Sequence, residues 1–281
     1  MEIVTTVTAM RGLRRTLADP SGLVPTMGAL HEGHLSLVRE SRRRDATTVV
    51  TIFVNPAQFS PDEDLNRYPR DPERDLVLLE AEHVGAVFMP PVEEIYPDGY
   101  STHLDVDGLS EGLEGTSRPG HFRGVATVVA KLFNITAPAR AYFGRKDAQQ
   151  FRVIRRMAAD LDFPVELVPM PTVREPDGLA MSSRNVYLTP DERAAATCLS
   201  RGLFAARERF NAGERDASRL RDVVHDTVAA EPLVRLDYVS VADDLSLAEL
   251  ATIERTALLS LAAFVGRTRL IDNVELDAPI T

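Results

Sequence analysis

The chain has 281 residues, enough for one large domain or two ordinary ones, and its 44% hydrophobic and 26% charged content suits a soluble globular protein. Its 42 acidic residues outnumber the 32 basic ones, and the net charge of −10 argues against a nucleic-acid binder. Cys198 is the single cysteine, which excludes an internal disulfide framework and a cysteine metal cluster, and no apolar run reaches the roughly 18 residues of a membrane span. The first residues lack the basic-then-apolar pattern of an export signal, so the expected location is the cytoplasm.

A strand is expected at residues 3–5 and a helix at 8–18. Next comes LVPTMGALHEGH over residues 23–34. Leu23 and Val24 form a short apolar run that stops at Pro25. Two glycines, Gly28 and Gly33, then lead into a helical pattern carrying Leu35, Leu37 and Val38. The string reads as a strand over 22–25, a tight turn, and a helix over 34–44. A helix start offers unpaired backbone N–H groups and the positive end of the dipole, both of which favour phosphate. His31 and His34 would project to one side of that first turn and offer two imidazoles to one polyanion. The competing readings are solvated loop histidines or a metal site, the latter weakened by the lack of a third local ligand. Arg42, Arg43 and Arg44 form a solvated basic helix end favoured by the dipole.

The run VVTIFV at 49–54 is apolar on both faces, which suits a parallel strand over 48–54 covered by helices on each side. Further helices are expected at 71–84, 124–134 and 148–161, and further strands at 86–89, 140–144 and 165–168. The alternation predicts a doubly wound α/β domain with a parallel sheet, where ligands bind beyond the carboxyl ends of the strands. Those ends carry Pro25-Thr26-Met27-Gly28, Asn55-Pro56-Ala57-Gln58 and Phe143-Gly144-Arg145-Lys146-Asp147. Polar groups gather where the crevice should be. Segments 60–72, rich in Asp, Glu and Pro, and 107–124, with five glycines, read either as lids or as plain surface loops.

After Val168 the texture changes: Pro169, Pro171, Pro176 and Gly178 punctuate the chain. The domain boundary is placed there, giving domains of 1–172 and 173–281. Thr189-Pro190-Asp191-Glu192 has the form of a helix start, with Thr as cap, Pro at the first position and Glu reaching back. That helix is expected to run to Asn211, with Cys198 as a small buried residue on it. A second helix near 217–230, a short one near 246–250, and strands at 236–241, 256–265 and 268–276 predict a smaller α+β domain with an antiparallel sheet. MSSRN at 181–185 places two hydroxyls and a guanidinium on a short loop, which can grip phosphate oxygens. The same residues are common in surface turns.

Together, VPTMGALHEGH (24–34), IFVNPAQF (52–59), YFGRKDAQQ (142–150) and GLAMSSRN (178–185) resemble the pantoate–β-alanine ligase family, in order and from end to end of the chain. That family is related to the class I aminoacyl-tRNA synthetases and other nucleotidyltransferases, in which a His-x-Gly-His helix start and a later serine-bearing loop lie on either side of ATP phosphates. The resemblance implies a Rossmann-like doubly wound parallel sheet followed by the smaller α+β domain. It implies ATP-dependent condensation of pantoate with β-alanine through a pantoyl-adenylate, with release of AMP and pyrophosphate. It further implies Mg²⁺ bound mainly through ATP phosphates, a homodimer, and no nucleic-acid or membrane partner.

The resemblance also assigns residues. His34, with His31 beside it, would donate a hydrogen bond or proton to the departing phosphate oxygens, and Lys146 would meet the α-phosphate. ATP would be lined by Met27, Gly28, Ala29, Leu30, His31, Glu32, Gly33 and His34, and by Gly144, Arg145, Lys146 and Asp147. Val173 would lie beside the adenine, and Met181, Ser182, Ser183 and Arg184 at the phosphates. Gln58 and Gln150 would bind pantoate through their amides, Gln58 also touching β-alanine, with Asn55, Phe59 and Tyr68 as further candidates for pocket walls. A strand-end cap is the plain alternative for Gln58, and a surface lysine for Lys146. Some family members carry an acidic pair and a glutamine, proposed to hold magnesium, where this chain has Glu73-Arg74-Asp75-Leu76-Val77-Leu78. Arg74 and Leu78 occupy two of those positions, so no protein metal ligand is expected. The rival readings are another nucleotidyltransferase with a different acceptor, a tRNA synthetase fragment, and a non-catalytic nucleotide-binding protein on the same fold.

Overall fold

Parallel pairing organises the first part of the chain. The computed structural model describes residues 1–61 and 63–277. Six strands, β1 (Glu2–Val4), β2 (Ser21–Thr26), β3 (Thr47–Ile52), β4 (Ala86–Phe88), β5 (Arg140–Gly144) and β6 (Glu166–Met170), lie in the order β1-β4-β3-β2-β5-β6. Every neighbouring pair is parallel. β2 and β3 stay in register from Ser21 opposite Thr47 to Thr26 opposite Ile52, so their carboxyl ends finish level. Strand order reverses between β2 and β5, the place where an open parallel sheet leaves a crevice.

The helices interleaved with these strands are α1 (Val7–Arg14), α2 (Glu32–Arg44), α3 (Pro72–Ala81), α4 (Val92–Ile95), α5 (Glu114–Ser117), α6 (His121–Thr136) and α7 (Ala148–Asp160). Side chains alternate across a strand, and β3 shows what that demands. Val49 packs into one core with Leu23, Phe88, Val129 and Phe133; Val50 packs into the other with Val24, Val87, Val38 and Leu79. Burying such a side chain contributes about 1.5–3 kcal/mol, so a strand covered on both faces is favoured only as an apolar run.

Several ends differ from expectation, each for a local reason. α1 stops at Arg14 rather than residue 18, because Thr16 turns back through its amide and hydroxyl onto the Leu13 carbonyl. α3 ends at Ala81, where His83 takes a left-handed φ of 51° and its amide bonds the Glu80 carbonyl. Segment 107–124 contains α5 and the start of α6. Gln149 ties it down, its Nε2 donating to the Leu109 and Gly112 carbonyls at 2.8 Å each while its Oε1 accepts from Glu114 N at 3.0 Å. Segment 60–72 includes residue 62, which lies outside the described residues.

The described residues divide into two compact units, Met1–Arg145 with Gln149–Pro171, and Lys146–Ala148 with Thr172 onward. In the second unit α8 (Pro190–Ala195), α9 (Thr197–Asn211) and α10 (Ala217–Ala229) precede β7 (Val234–Asp243), β8 (Ala257–Val265) and β9 (Thr268–Leu276). The three strands form an antiparallel sheet in sequential order, and Leu199, Leu203, Phe210, Leu220 and Val224 share a core with Val241, Leu259, Leu261 and Val274. Cys198 is buried in that core, and burial pushes its thiol up to about 11.

The single helix expected from Thr189 to Asn211 bends at Ala196. Thr197 Oγ1 donates to the Ala194 carbonyl at 2.8 Å and Leu199 N to the Ala196 carbonyl, a tighter pattern than the i→i−4 ladder. The short helix expected near 246–250 is absent, and a turn stands in its place. Asp243 Oδ1 collects Leu245 N, Ser246 N and the Ser246 hydroxyl, which gives this backbone a better offer than a helix does.

Candidate active site

β2 delivers Met27, Gly28, Ala29 and Leu30 beyond its carboxyl end, and their backbone is unusual. Gly28 has φ 80° and Ala29 φ 50°. A Cβ at residue 28 would stand 3.0 Å from Asp75 Oδ2 and adopt a left-handed φ, so only glycine sits there without strain. Asp75 explains the conformation. It lies on α3 one turn before buried Leu79, is 1% exposed, and accepts from Ala29 N at 2.8 Å and Leu30 N at 2.7 Å. Arg74 answers from the same helix by donating to the Leu30 carbonyl at 3.0 Å. Burial raises the Asp75 carboxyl above its ordinary range, against the pull of the two amides.

The loop ends at α2, which starts two residues earlier than expected, with His31 as its N-cap. His31 has an extended backbone, φ −139° and ψ 175°, and its Nδ1 accepts from Gly33 N at 3.1 Å. His34 reaches back so that its Nδ1 accepts from His31 N at 3.3 Å. The result is a reciprocal capping box built from two imidazoles, whose ring centroids stand 4.0 Å apart. A neutral ring that accepts at Nδ1 carries its proton on Nε2, so each is held in the tautomer that donates through Nε2. Gly33 N and His34 N are already engaged, by His31 Nδ1 and the His31 carbonyl, so these two backbone amides, which the sequence suggested for phosphate, are used by the cap itself. Glu32 turns aside to pair with Arg39.

β3 ends in a 3-10 turn, Pro56–Gln58, capped by Asn55. Gln58 is buried, its Nε2 3.2 Å from Met27 Sδ. Its own carbonyl accepts from His121 Nδ1 at 2.9 Å, and Arg118 bonds His121 Nε2 at 3.1 Å while pairing with Glu63. Burial and the neighbouring guanidinium lower the His121 pKa to about 4, so at neutral pH it is an uncharged donor. Burial alone would raise the Glu63 carboxyl, but its pair with Arg118 keeps it below the ordinary value. Underneath, Gly124 of α6 permits the closest approach in the region: a Cβ there would lie 2.2 Å from the Ala57 carbonyl oxygen. Phe59 and Tyr68 meet edge to face with centroids 5.8 Å apart, and Gln150 lies half-buried in the first turn of α7.

In the second unit, Lys146 Nζ lies 3.5 Å from Asp147 Oδ1, and the Lys146 carbonyl accepts from Asn273 Nδ2 at 2.8 Å. Val173 and Met181 are joined by a Met181 N to Val173 carbonyl bond of 3.0 Å, beside an antiparallel bridge between Arg174 and Ala180. This narrow hairpin is anchored twice. Arg174 forks onto buried Asp272 at 2.6 and 2.9 Å, and Asp177 accepts two bonds from Arg193 at 2.8 and 3.0 Å. Directly after it, Ser182 caps a 3-10 turn, Ser183–Tyr187, by accepting from Arg184 N at 3.3 Å, and Ser183 is buried.

Within the first unit, a parallel sheet sets a histidine-capped helix start and a buried amide beyond adjacent strand ends, the place where open parallel sheets bind ligands. The profile of the family described as pantoate-beta-alanine ligase matches residues 2–275. A pantothenate synthetase of Roseiflexus sp. (strain RS-1) is 61% identical over 278 residues, covering 99% of this chain and all of that one. The crystal structure of pantothenate synthetase from Thermus thermophilus superposes with a TM-score of 0.95 at 47% identity, covering 99% of this chain and 100% of that one. A pantoate-beta-alanine ligase from Francisella tularensis, crystallised with beta-gamma ATP and beta-alanine, gives 0.81 at 32% identity, covering 98% and 97%. The chain belongs to the pantoate–β-alanine ligase family, whose reaction is the ATP-dependent condensation of pantoate with β-alanine.

The structure thus brings together His31 with His34, Met27 with Gln58, and Val173 with Met181. Sequence reasoning missed Asp75, Tyr96, Arg118 and His121. Asp75 left one signal, a carboxylate one helical turn from a buried leucine; the others left none that spacing alone reveals. Among the described residues no group of three or more His, Cys, Asp or Glu side chains is placed to hold a metal ion, and no helix is long and apolar enough to cross a membrane.

Proposed function

We propose that this chain carries out the family's ligation in two steps. A pantoate carboxylate oxygen attacks the α-phosphorus of ATP and the bond to pyrophosphate breaks, giving pantoyl-adenylate. The β-alanine amine then attacks the acyl carbon, and AMP leaves with the bridging oxygen. The observation that carries this reading is the reciprocal cap of His31 and His34, which fixes both rings at the start of α2 with Nδ1 as the acceptor and Nε2 as the donor nitrogen. Preorganised donors of this kind stabilise charge as it moves onto the departing pyrophosphate without having to reorient.

His34, with His31 beside it, donates to the departing phosphate oxygens, and Lys146 places a compact charge at the α-phosphate. Met27, Gly28, Ala29, Leu30, Glu32 and Gly33 line the nucleotide, as do Gly144, Arg145 and Asp147, with Met27, Gly28 and residues 144–147 doing so through backbone groups. Val173 lies against the adenine, and Met181, Ser182, Ser183 and Arg184 hold phosphate oxygens. Gln58 and Gln150 bind pantoate, and Gln58 also meets β-alanine. Residues 1–172 therefore serve ATP and pantoate, while 173–281 carry the phosphate turn.

Asp75 and Arg74 do not fit a protein-held magnesium ion. Both carboxylate oxygens of Asp75 already accept backbone amides, and the Arg74 guanidinium lies on the same loop. Mg²⁺ would instead be held mainly through the ATP phosphates, where it would neutralise their charge. The assembly is a homodimer in the cytoplasm, with no nucleic-acid or membrane partner.

The test supplies ATP, pantoate carrying ¹⁸O in its carboxylate, and β-alanine. AMP should form only when both acids are present, carrying one ¹⁸O atom. Unlabelled AMP would rule out the adenylate, and turnover only with another acceptor would move the chain to a different ligation.

A further inference from the structure

Asn55 is held by groups whose roles cannot be exchanged. Ala57 N can only donate, and it meets Asn55 Oδ1 at 3.3 Å; the Gly124 carbonyl can only accept, and it meets Asn55 Nδ2 at 3.1 Å. The orientation of this amide is therefore fixed by backbone. Its two remaining positions are taken by side chains. Tyr96 OH donates to Oδ1 at 2.8 Å, and Nδ2 donates to Gln58 Oε1 at 3.0 Å. All four hydrogen-bonding positions of Asn55 are filled.

The consequence falls on Gln58. With Oε1 facing Asn55, its NH₂ end must point the other way, and there its partner among the described residues is Met27 Sδ, a weak acceptor that a ligand oxygen outcompetes. Backbone contacts keep the residue from turning, since its carbonyl is bound by His121 and its amide by the Asn55 carbonyl. Tyr96 supplies the outer link. Its ring packs edge to face on Tyr100 with centroids 5.1 Å apart, and burial pushes its phenol well above the ordinary value, so it stays a donor at any working pH.

We propose that Tyr96 and Asn55 form a two-link relay that presents the donor end of the Gln58 amide to the acid substrate, so that this subsite selects carboxylate or hydroxyl oxygen and rejects an amine. Both are positioning residues. The inference rests on the reading of Gln58 as a pantoate ligand.

The experiment measures KM for pantoate, KM for ATP, kcat and the urea midpoint in the full chain. Gln58→Glu keeps the acceptor facing Asn55 and removes the N–H donors; it should raise the pantoate KM at least about thirtyfold while leaving the ATP KM in place. Asn55→Asp replaces the donor facing Gln58 by an acceptor and should turn the amide over, with a similar loss for pantoate. Tyr96→Phe removes one hydroxyl and keeps the ring; a rise of about three- to tenfold in pantoate KM is expected, and none on top of Gln58→Glu. An unchanged pantoate KM in Gln58→Glu overturns the assignment of Gln58 itself. A raised value there, with normal values in Tyr96→Phe and Asn55→Asp, overturns the relay alone. Parallel rises for ATP and pantoate in Tyr96→Phe, or a lowered urea midpoint as its only effect, also overturn it, because a general structural role would do the same.

Discussion

The two units hold their functional loops by different physics. In the first, a parallel sheet sets down three strand ends side by side, and most bonds that fix the loops beyond them join neutral partners or bring backbone amides onto one buried carboxylate. Ala29 and Leu30 donate to Asp75, Gly33 to His31 and Asn55 to Gln58, with Arg74 and the Arg118–Glu63 pair adding charge. In the second, no strand end delivers Ser182–Arg184 in this way. The preceding hairpin is pinned by two ion pairs, Arg174 with Asp272 and Asp177 with Arg193. A sheet aims its loops by its own geometry, whereas a lone hairpin must be tied by charge. The second arrangement should therefore feel salt more than the first, most of all at its exposed pair Arg193–Asp177.

The comparison can be broken most forcefully at His34. His34→Ala should lower turnover at least roughly a hundredfold in a chain that still folds, the scale of losing a transition-state donor. Near-normal turnover removes the ring from the reaction. Next comes Arg174→Met, which leaves the Asp272 carboxylate buried without its cation. About 3 kcal/mol of stability should be lost in urea unfolding, and a loss well under 1 kcal/mol would show that the pair does not anchor the hairpin.

His121 gives the first unit a pH response. Above pH 6.5 the ring is neutral folded or unfolded. Below it the unfolded chain binds a proton that the buried ring resists until about 4, so stability falls as pH drops through that window, by about 3 kcal/mol in all. His121→Asn retains a donor for the Gln58 carbonyl and should flatten that part of the slope. Urea midpoints at several pH values decide it, and an unaltered slope places the titration elsewhere. The smallest effect belongs to Arg193→Ala. Its pair with Asp177 is partly exposed on both sides, so less than about 1 kcal/mol should be lost, and less still in high salt.

Much of this was legible in the sequence because it depends on local pattern. The apolar run at 49–54 announced a strand buried on both faces, and Met27, Gln58 and Gly144 do stand at or just beyond the carboxyl ends of β2, β3 and β5. What stayed hidden depends on partners far along the chain. Asp75 reads as one of several acids in a helix, yet it bonds amides 46 and 45 residues away. Tyr96 reaches across 41 residues to Asn55, and His121 across 63 to Gln58. The bend at Ala196 and the turn after Asp243 were missed for another reason. Hydroxyl and carboxylate side chains there capture backbone groups that helical periodicity assigns to the ladder.

The missing side chain at Gly124 has one more effect. With nothing between them, α6 and the peptide at Ala57 press together as if they were one body, and Gln58 follows directly. A side chain on an ordinary loop moves with the solvent around it. This one stands on a peptide seated directly against a buried helix, so any displacement of it must disturb the hydrophobic packing beneath.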